Sequence, residues 1–227
     1  MKNKKIGIPG WMIEGKYFGV GISYIDFISK FGTPVIITPQ DYLNPPDVDM
    51  LYLPGGLDVN PMAYGAVPSY RTQNPNLMLE FFENKTLPYY IETKTPIFAV
   101  CRSAQYLWAI YGGILEQHEP YHEQSSYQTH QCHTLSFNIN YSHLSKDIKK
   151  VNSRHHQMMY ERENNENLIA VAYAKEDKTT TDIVEIWTHA NLPIVGVQFH
   201  PEDHDGTDEL IPKIILEMLE KSSNFVL

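Results

Sequence analysis

Short apolar runs alternate with helix-spaced segments over the first half of the chain, and this alternation limits the fold more than any other feature. "KIGIPG" (Lys5 to Gly10), "PVIIT" (Pro34 to Thr38), "DMLYLPGG" (Asp49 to Gly56) and "PIFAV" (Pro96 to Val100) read as strands, the second and third buried. Gly21 to Phe31 carries Ile22, Ile25, Ile28 and Phe31 three apart and predicts a helix stopped by Gly32 as a C-cap glycine. Asn74 to Ile91, with Leu77, Phe81, Leu87 and Ile91, predicts a second helix, and Ala104 to Tyr111, ended by Gly112-Gly113, a third. Strand and helix in alternation imply a parallel sheet with helices on both faces.

Past Gly113 the pattern changes. Glu116 to Thr134 is polar, rich in His, Gln and Tyr, and has no period. Strand-like pieces follow at Leu135–Asn140, Leu168–Ala174, Val184–His189 and Ile194–Phe199. The short connections between the last three predict an antiparallel meander that rejoins the sheet. A final helix is predicted from about Thr207 to Lys221. With 227 residues, 42% of them hydrophobic, one α/β domain over residues 1–227 is the economical reading.

The net charge of −9 argues against non-specific binding to nucleic acid or to an anionic membrane, because phosphates repel such a chain. Lys2, Lys4 and Lys5 form the one obvious basic cluster, at the terminus. The start lacks a long apolar segment of the secretory kind, and no run reaches the length of a membrane span. Two cysteines, Cys101 and Cys132, do not make a disulfide framework. The expectation is a soluble, cytoplasmic protein.

Chemistry concentrates where "PIFAV" ends at Cys101. A strand that turns sharply into a helix exposes one side chain at the carboxyl edge of the sheet, as in the nucleophile elbow of hydrolases. The turn is crowded, so the residues two before and two after must be small; here they are Ala99 and Ser103. The helix amides that follow carry partial positive charge, which favours thiolate over thiol. The Arg102 amide would face an oxyanion formed on a carbonyl attacked by Cys101. The alternative is a buried cysteine acting as a small hydrophobe.

A cysteine nucleophile needs a base and the base an orienting group. "IVGVQFHPED" (Ile194 to Asp203) offers both, with His200 ending an apolar strand and Glu202 two residues on. In an extended chain these side chains point the same way, and Pro201 keeps the residue before it extended. "LYLPGGLDVNPMAYG" (Leu51 to Gly65) adds a glycine turn, Gly55-Gly56, where backbone amides can approach a ligand closely. Open α/β folds bind ligands along this edge of the sheet.

Together these segments resemble the class I glutamine amidotransferase-like superfamily, and within it the γ-glutamyl hydrolase branch, peptidase C26. "LPGGLDVNPMAYG" resembles that branch's glycine loop, "FAVCRSAQYLWAIYGGIL" its nucleophile helix, "VNSRHHQ" (Val151 to Gln157) its V-N-S-x-H-H-Q segment and "GVQFHPE" its terminal histidine-glutamate motif. The resemblance implies a flavodoxin-like, doubly wound, mostly parallel sheet with an antiparallel extension. It makes Cys101 the nucleophile, His200 the base and Glu202 its partner. Gly56 and Arg102 become oxyanion donors, and Gly55, Gln105, His155, His156 and Gln157 substrate-binding residues. The implied activity is hydrolysis of a small γ-glutamyl compound, with no metal or organic cofactor. The partners it admits are that substrate and, beyond it, a further copy of the chain or a separate synthetase.

The chain departs from the branch at Ala99 and Ser103, where its elbow usually has glycine, and "GWMIEGKYFGVGISYIDF" is peculiar to this chain and a candidate for shaping specificity. Two other readings follow from the same residues. One is a glutaminase subunit that passes ammonia to a synthetase; the other is a binding module that keeps the fold without turnover. "HEPYHEQSSYQTHQCH" holds His118, His122, His130, Cys132 and His133, the composition of a metal site without a zinc spacing. The segment 118–133 is read instead as a polar lid over the site.

Overall fold

The computed structural model describes residues 4–14, 16–118, 133–148, 150–174, 182–203 and 209–227. In chain order the elements are β1 (Lys5–Pro9), β2 (Trp11–Ile13), β3 (Tyr17–Gly19), α1 (Ile22–Ile28), β4 (Thr33–Ile37), β5 (Met50–Leu53), α2 (Leu77–Lys85), α3 (Leu87–Glu92), β6 (Ile97–Val100) and α4 (Arg102–Ile110). There follow β7 (Ile114–Glu116), β8 (His133–Phe137), β9 (Lys150–Val151), β10 (Met158–Tyr160), β11 (Leu168–Ala174), β12 (Ile183–His189), β13 (Ile194–Val197) and α5 (Leu210–Lys221). Among the described residues, nine strands form one sheet in the order β4-β1-β5-β6-β13-β12-β11-β8-β9. The pairs from β4 to β13 are parallel and those from β13 to β9 antiparallel. This is the mostly parallel sheet with an antiparallel extension that the alternation and the meander predict, in the flavodoxin-like form that the resemblance implies.

Burial on both faces makes the central strands apolar at every position. Met50, Tyr52, Phe98 and Val100 join α1 and α5 in one core layer. Their neighbours Leu51, Leu53, Ile97 and Ala99 join α2, α3 and α4 in the other. On α5 the buried residues are Leu210, Ile211, Ile214, Ile215, Met218 and Leu219, a single stripe at helical spacing. None of the described helices is long and apolar enough to cross a membrane.

The structure corrects several sequence expectations. Only part of the stripe predicted for the first helix is buried: Ile28 lies in the core and Ile25 and Phe31 pack against it, but Ile22 does not. Ile22 is 71% exposed, and the helix packs through Tyr24, Phe27 and Ile28. Asn74–Ile91 is not one helix. It breaks at Thr86 because Pro88, in the first turn of α3, has no N–H to give the carbonyl of Asn84. In α2 the predicted Leu77 and Phe81 face outward, and the buried positions are Leu79, Phe82 and Glu83. Glu83 is there because it pairs with the buried Arg102 guanidinium. The strand predicted for Leu135–Asn140 ends at Phe137, and the one for Ile194–Phe199 at Val197. α4 starts at Arg102, two residues before the predicted Ala104.

Two small antiparallel sheets have no strand signal in the sequence. β2 pairs with β3 as a hairpin, and β7 pairs with β10 from more than forty residues away. The second lies over α4, where Trp108 Nε1 donates to the carbonyls of Ile114 and Tyr160, both at 3.1 Å. α4 is therefore covered on all sides and buried from Arg102 to Ala109.

Candidate active site

Cys101 sits between β6 and α4 with φ 49° and ψ −110°, a backbone state that side chains rarely adopt. Such strain costs about 1–3 kcal/mol and persists only where the surroundings hold it. Here the Cys101 N–H donates to Val197 O at 2.7 Å, and Cys101 O accepts from the Gln105 N–H at 2.9 Å. The departures at the elbow fit the same turn. Ala99 is fully buried in the sheet between Leu53 and Gly196. Ser103 uses its hydroxyl to donate to Pro54 O at 2.6 Å, tying the start of α4 to the glycine loop.

His200 and Glu202 are brought together, with 2.6 Å between Nδ1 and Oε1. The two side chains do not meet across an extended chain, because Pro201–Asp203 form a 3-10 turn. The Asp203 N–H donates back to His200 O at 3.2 Å, and the turn folds Glu202 under the imidazole. Asn152 fixes the backbone of His200 from both sides. Its Nδ2 donates to His200 O at 2.8 Å and its Oδ1 accepts from the His200 N–H at 2.9 Å. Tyr52 places its hydroxyl 3.5 Å from Glu202 Oε2. The Tyr24 hydroxyl accepts from the Gly55 N–H at 3.1 Å and lies 3.5 Å from His200 Nδ1. Burial raises the Tyr24 pKa well above 10, and the charges at Glu202 and Cys101 raise it further, so this hydroxyl stays protonated.

His200 is 8% exposed, and burial alone would push its pKa down. The negative charge at Cys101, then that at Glu202, and hydrogen bonds to both side chains outweigh burial and raise it well above the ordinary 6.5. The imidazolium therefore persists into neutral pH. Because the folded value is the raised one, the ion pairs stabilise the fold fully below about 6.5 and lose that contribution as pH rises through the folded value. An NMR titration of the His200 ring is expected to give a midpoint above 6.5, lowered by Glu202→Gln. A wild-type midpoint at or below 6.5 contradicts the pairing.

A small polar cleft of about 80 Å³ opens beside the sulfur, lined by Gly56, Asp58, Gln73, Cys101, Gln105, Arg154, His155, His156 and Gln157. The sequence-predicted Gln105, His155, His156 and Gln157 thus meet in one place. Gln105 Nε2 donates to Gln157 O and Gln198 Oε1, each at 3.1 Å. His155 Nδ1 lies 2.9 Å from Gln157 O, and its Nε2 3.7 Å from the carboxylate of the fully buried Glu185. His156 Nε2 is 3.0 Å from Asp58 Oδ1, and its Nδ1 3.2 Å from that of His118. Gly56 is exposed on the cleft wall, while the Gly55 amide is engaged by Tyr24. The Arg102 side chain turns away to Glu83 and the Tyr106 ring, and burial lowers its pKa to about 10. What Arg102 presents at the elbow is its backbone amide, at the first position of α4.

His200, Glu202 and Asp203 could in principle share a metal ion, since one donor atom from each lies within 4.8 Å of the others. Those donors are engaged: His200 and Glu202 hold each other, and Asp203 pairs with Arg154 at 2.5 Å. Of the histidine-rich segment, residues 119–132 lie outside the described residues, so the lid and the donors His122, His130 and Cys132 do as well. Tyr24, Tyr52, Asn152 and Glu185 were missed by sequence reasoning. Asn152 stood within the quoted "VNSRHHQ", and Tyr24 had the i, i+3, i+4 pattern with Phe27 and Ile28 as its signal.

Residues 11–202 match the peptidase C26 family. A glutamine amidotransferase-like protein of Lactococcus lactis, YvdE, is 30% identical over 209 residues, covering 85% of this chain and 84% of its own length. Protein NtpR of Enterococcus hirae is 30% identical over 188 residues, 75% of each chain. A crystal structure from Thermoplasma acidophilum, described as that of a GMP synthase subunit, superposes with a TM-score of 0.59 at 17% identity. That match covers 95% of this chain and 94% of the other, and shows a shared fold. On these matches, together with the elbow and the sheet order, the chain belongs to the peptidase C26 family of the class I glutamine amidotransferase-like superfamily.

Proposed function

We propose that this chain is a single-domain cysteine hydrolase that cleaves the γ-glutamyl amide bond of a small γ-glutamyl compound. Membership of peptidase C26 gives cysteine-type chemistry on a C–N bond. The observation that carries the finer reading is the strained Cys101 elbow, joined through His200 to Glu202 and opening on a polar cleft.

In this mechanism the Cys101 thiolate adds to the γ-carbonyl carbon, and the oxyanion is held by the amides of Gly56 and Arg102. The C–N bond then breaks. The His200 imidazolium gives its proton to the departing amine, and a γ-glutamyl thioester remains. Neutral His200 next takes a proton from water, the hydroxide adds to the thioester, and glutamate leaves as the sulfur regains its charge. Glu202 keeps the ring oriented through both steps. Gln105, His155, His156 and Gln157 receive the glutamyl group, whose charged ends suit a polar cleft. No metal or organic cofactor takes part.

A second reading, a glutaminase serving a separate synthetase, is favoured by the likeness to the Thermoplasma protein described as part of a GMP synthase. One assay separates the two. The purified chain alone, given glutamine and a panel of γ-glutamyl amides, is expected to release glutamate from at least one amide faster than from glutamine. Activity confined to glutamine, and rising when a synthetase is added, would select the synthetase-linked reading instead.

A further inference from the structure

The sequence flagged the Gly10–Phe27 stretch as peculiar, and of it only Tyr24 touches the site described above. Its Trp11 to Glu14 form one wall of a second cavity. Trp11, Met12 and Ile13 of β2, with Leu57 and Leu79, line a pocket of about 320 Å³ that shares Gly56 with the polar cleft and also borders Gly55. Its lining is largely apolar. Asn76 on its wall has its side-chain oxygen engaged by the N–H groups of Met78 and Leu79, and among the described residues Glu14 is the one charged side chain along it. Met12, Ile13 and Leu57 are 38%, 36% and 48% exposed, unusual for three large apolar side chains around one cavity.

Resting on the γ-glutamyl hydrolase reading above, we infer that this pocket is the leaving-group subsite, and that the substrates are γ-glutamyl amides of primary amines bearing an alkyl or aryl group. The placement follows from the proton that the leaving nitrogen needs. A Cβ added to Gly55 would lie 2.7 Å from His200 Cε1, so the proton donor stands directly against Gly55. A substrate with its glutamyl group in the polar cleft and its carbonyl at Gly56 has its nitrogen toward His200. The amine's substituent then leaves past Gly55, into the apolar pocket. A cleft of about 80 Å³ that shares a wall residue, Gly56, with a pocket of about 320 Å³ is the size order expected of a small polar acyl group and a larger apolar amine. One wall of the site is strand β2, which the β2–β3 hairpin holds in place. Gly10 sets the hairpin against the Phe18 ring, 2.6 Å from where a Cβ would stand, and Trp11 packs edge-on to Tyr24 with 5.9 Å between ring centres.

The test compares glutamate release from glutamine, γ-glutamyl-methylamide, γ-glutamyl-hexylamide and γ-glutamyl-benzylamide. Burial of each added methylene is worth about fourfold in affinity at most, so kcat/KM for the hexylamide is expected to exceed that for the methylamide by roughly 30-fold or more. Leu57→Asp and Ile13→Asp, each at a partly exposed position, should cut the hexyl-to-methyl ratio by about tenfold, with the change carried in KM. The ratio within one variant is insensitive to how much protein is folded, and two variants guard against one failing to fold. Equal kcat/KM for the methyl and hexyl amides, or a ratio unmoved in both variants, overturns the subsite and leaves the hydrolase standing. No glutamate from any of the four overturns both.

Discussion

Cys101→Ala is expected to lower γ-glutamyl amide hydrolysis by about 10⁴-fold or more while the protein still folds. The size follows from the chemistry: without the sulfur no thioester forms, and what remains is the binding and oxyanion contribution of the site. The fold should survive because alanine inherits the same strained backbone state, φ 49° at the elbow, and the hydrogen bonds to Val197 and Gln105 that hold it are backbone bonds. The buried thiol gives up little volume, and His200 keeps Glu202 and Asn152. Removing the charge at Cys101 should also lower the His200 pKa, since that charge is the largest of the raising influences. Glutamate release and thermal unfolding, measured on the same preparation, check the prediction. Cys132→Ser is the control and should keep most of the activity. Equal losses in the two variants, or a Cys101→Ala protein retaining a tenth of wild-type rate, would remove Cys101 from the reaction.

The elbow was legible in the sequence because its signal is local. An apolar strand, a cysteine between two small residues and a helix pattern follow one another within eighteen residues, and the fold cannot arrange them otherwise. The histidine-glutamate pair was legible for the right residues and the wrong reason. Residues two apart face the same way only in an extended chain, whereas this contact comes from a 3-10 turn closed by Asp203. What periodicity could not give was the face of a short helix that lies against the site. In α1 the repeating isoleucines outnumber the aromatic positions in the sequence, yet Ile22 is exposed and Tyr24 is buried, because that face meets His200 and Gly55. Glu83 was unreadable for a related reason. A carboxylate on a helix marks the solvent side unless its partner is known, and Arg102 belongs to another element. Asn152 and the β7–β10 pairing depend on contacts across more than forty residues, for which one sequence carries no local mark.

Gly55→Ala is expected to cost about 10²- to 10³-fold in kcat, although no polar group is removed. The backbone of Gly55 is outside the positive-φ region, which among the described glycines holds only Gly65 and Gly112, so alanine meets no conformational strain there. The effect is steric. The new methyl carbon would stand 2.7 Å from His200 Cε1, 2.9 Å from the Tyr24 hydroxyl and 3.4 Å from Cys101 Cβ. Two of these are closer than real contacts allow, and neither neighbour has an easy retreat. The imidazole is held by Glu202 at 2.6 Å and its backbone by Asn152 on both sides, while the Tyr24 hydroxyl is anchored by the Gly55 N–H itself. Either the ring swings away from Cys101 or the glycine loop moves away from the elbow. A displacement of about 1 Å in either group is enough for a loss near 10²-fold, and overpacking of this kind costs about 1–3 kcal/mol of stability. The neighbouring glycine gives the comparison. A Cβ on Gly56 would meet Leu79 Cδ1 at 3.4 Å and Arg102 Cδ at 3.9 Å, ordinary contacts, so Gly56→Ala should be far milder in both kcat and melting temperature. A crystal structure of Gly55→Ala should show the His200–Glu202 pair displaced as a unit. If kcat for Gly55→Ala instead stays within tenfold of wild type, His200 does not occupy the position from which it would protonate the leaving amine, and the proton route through His200 is wrong.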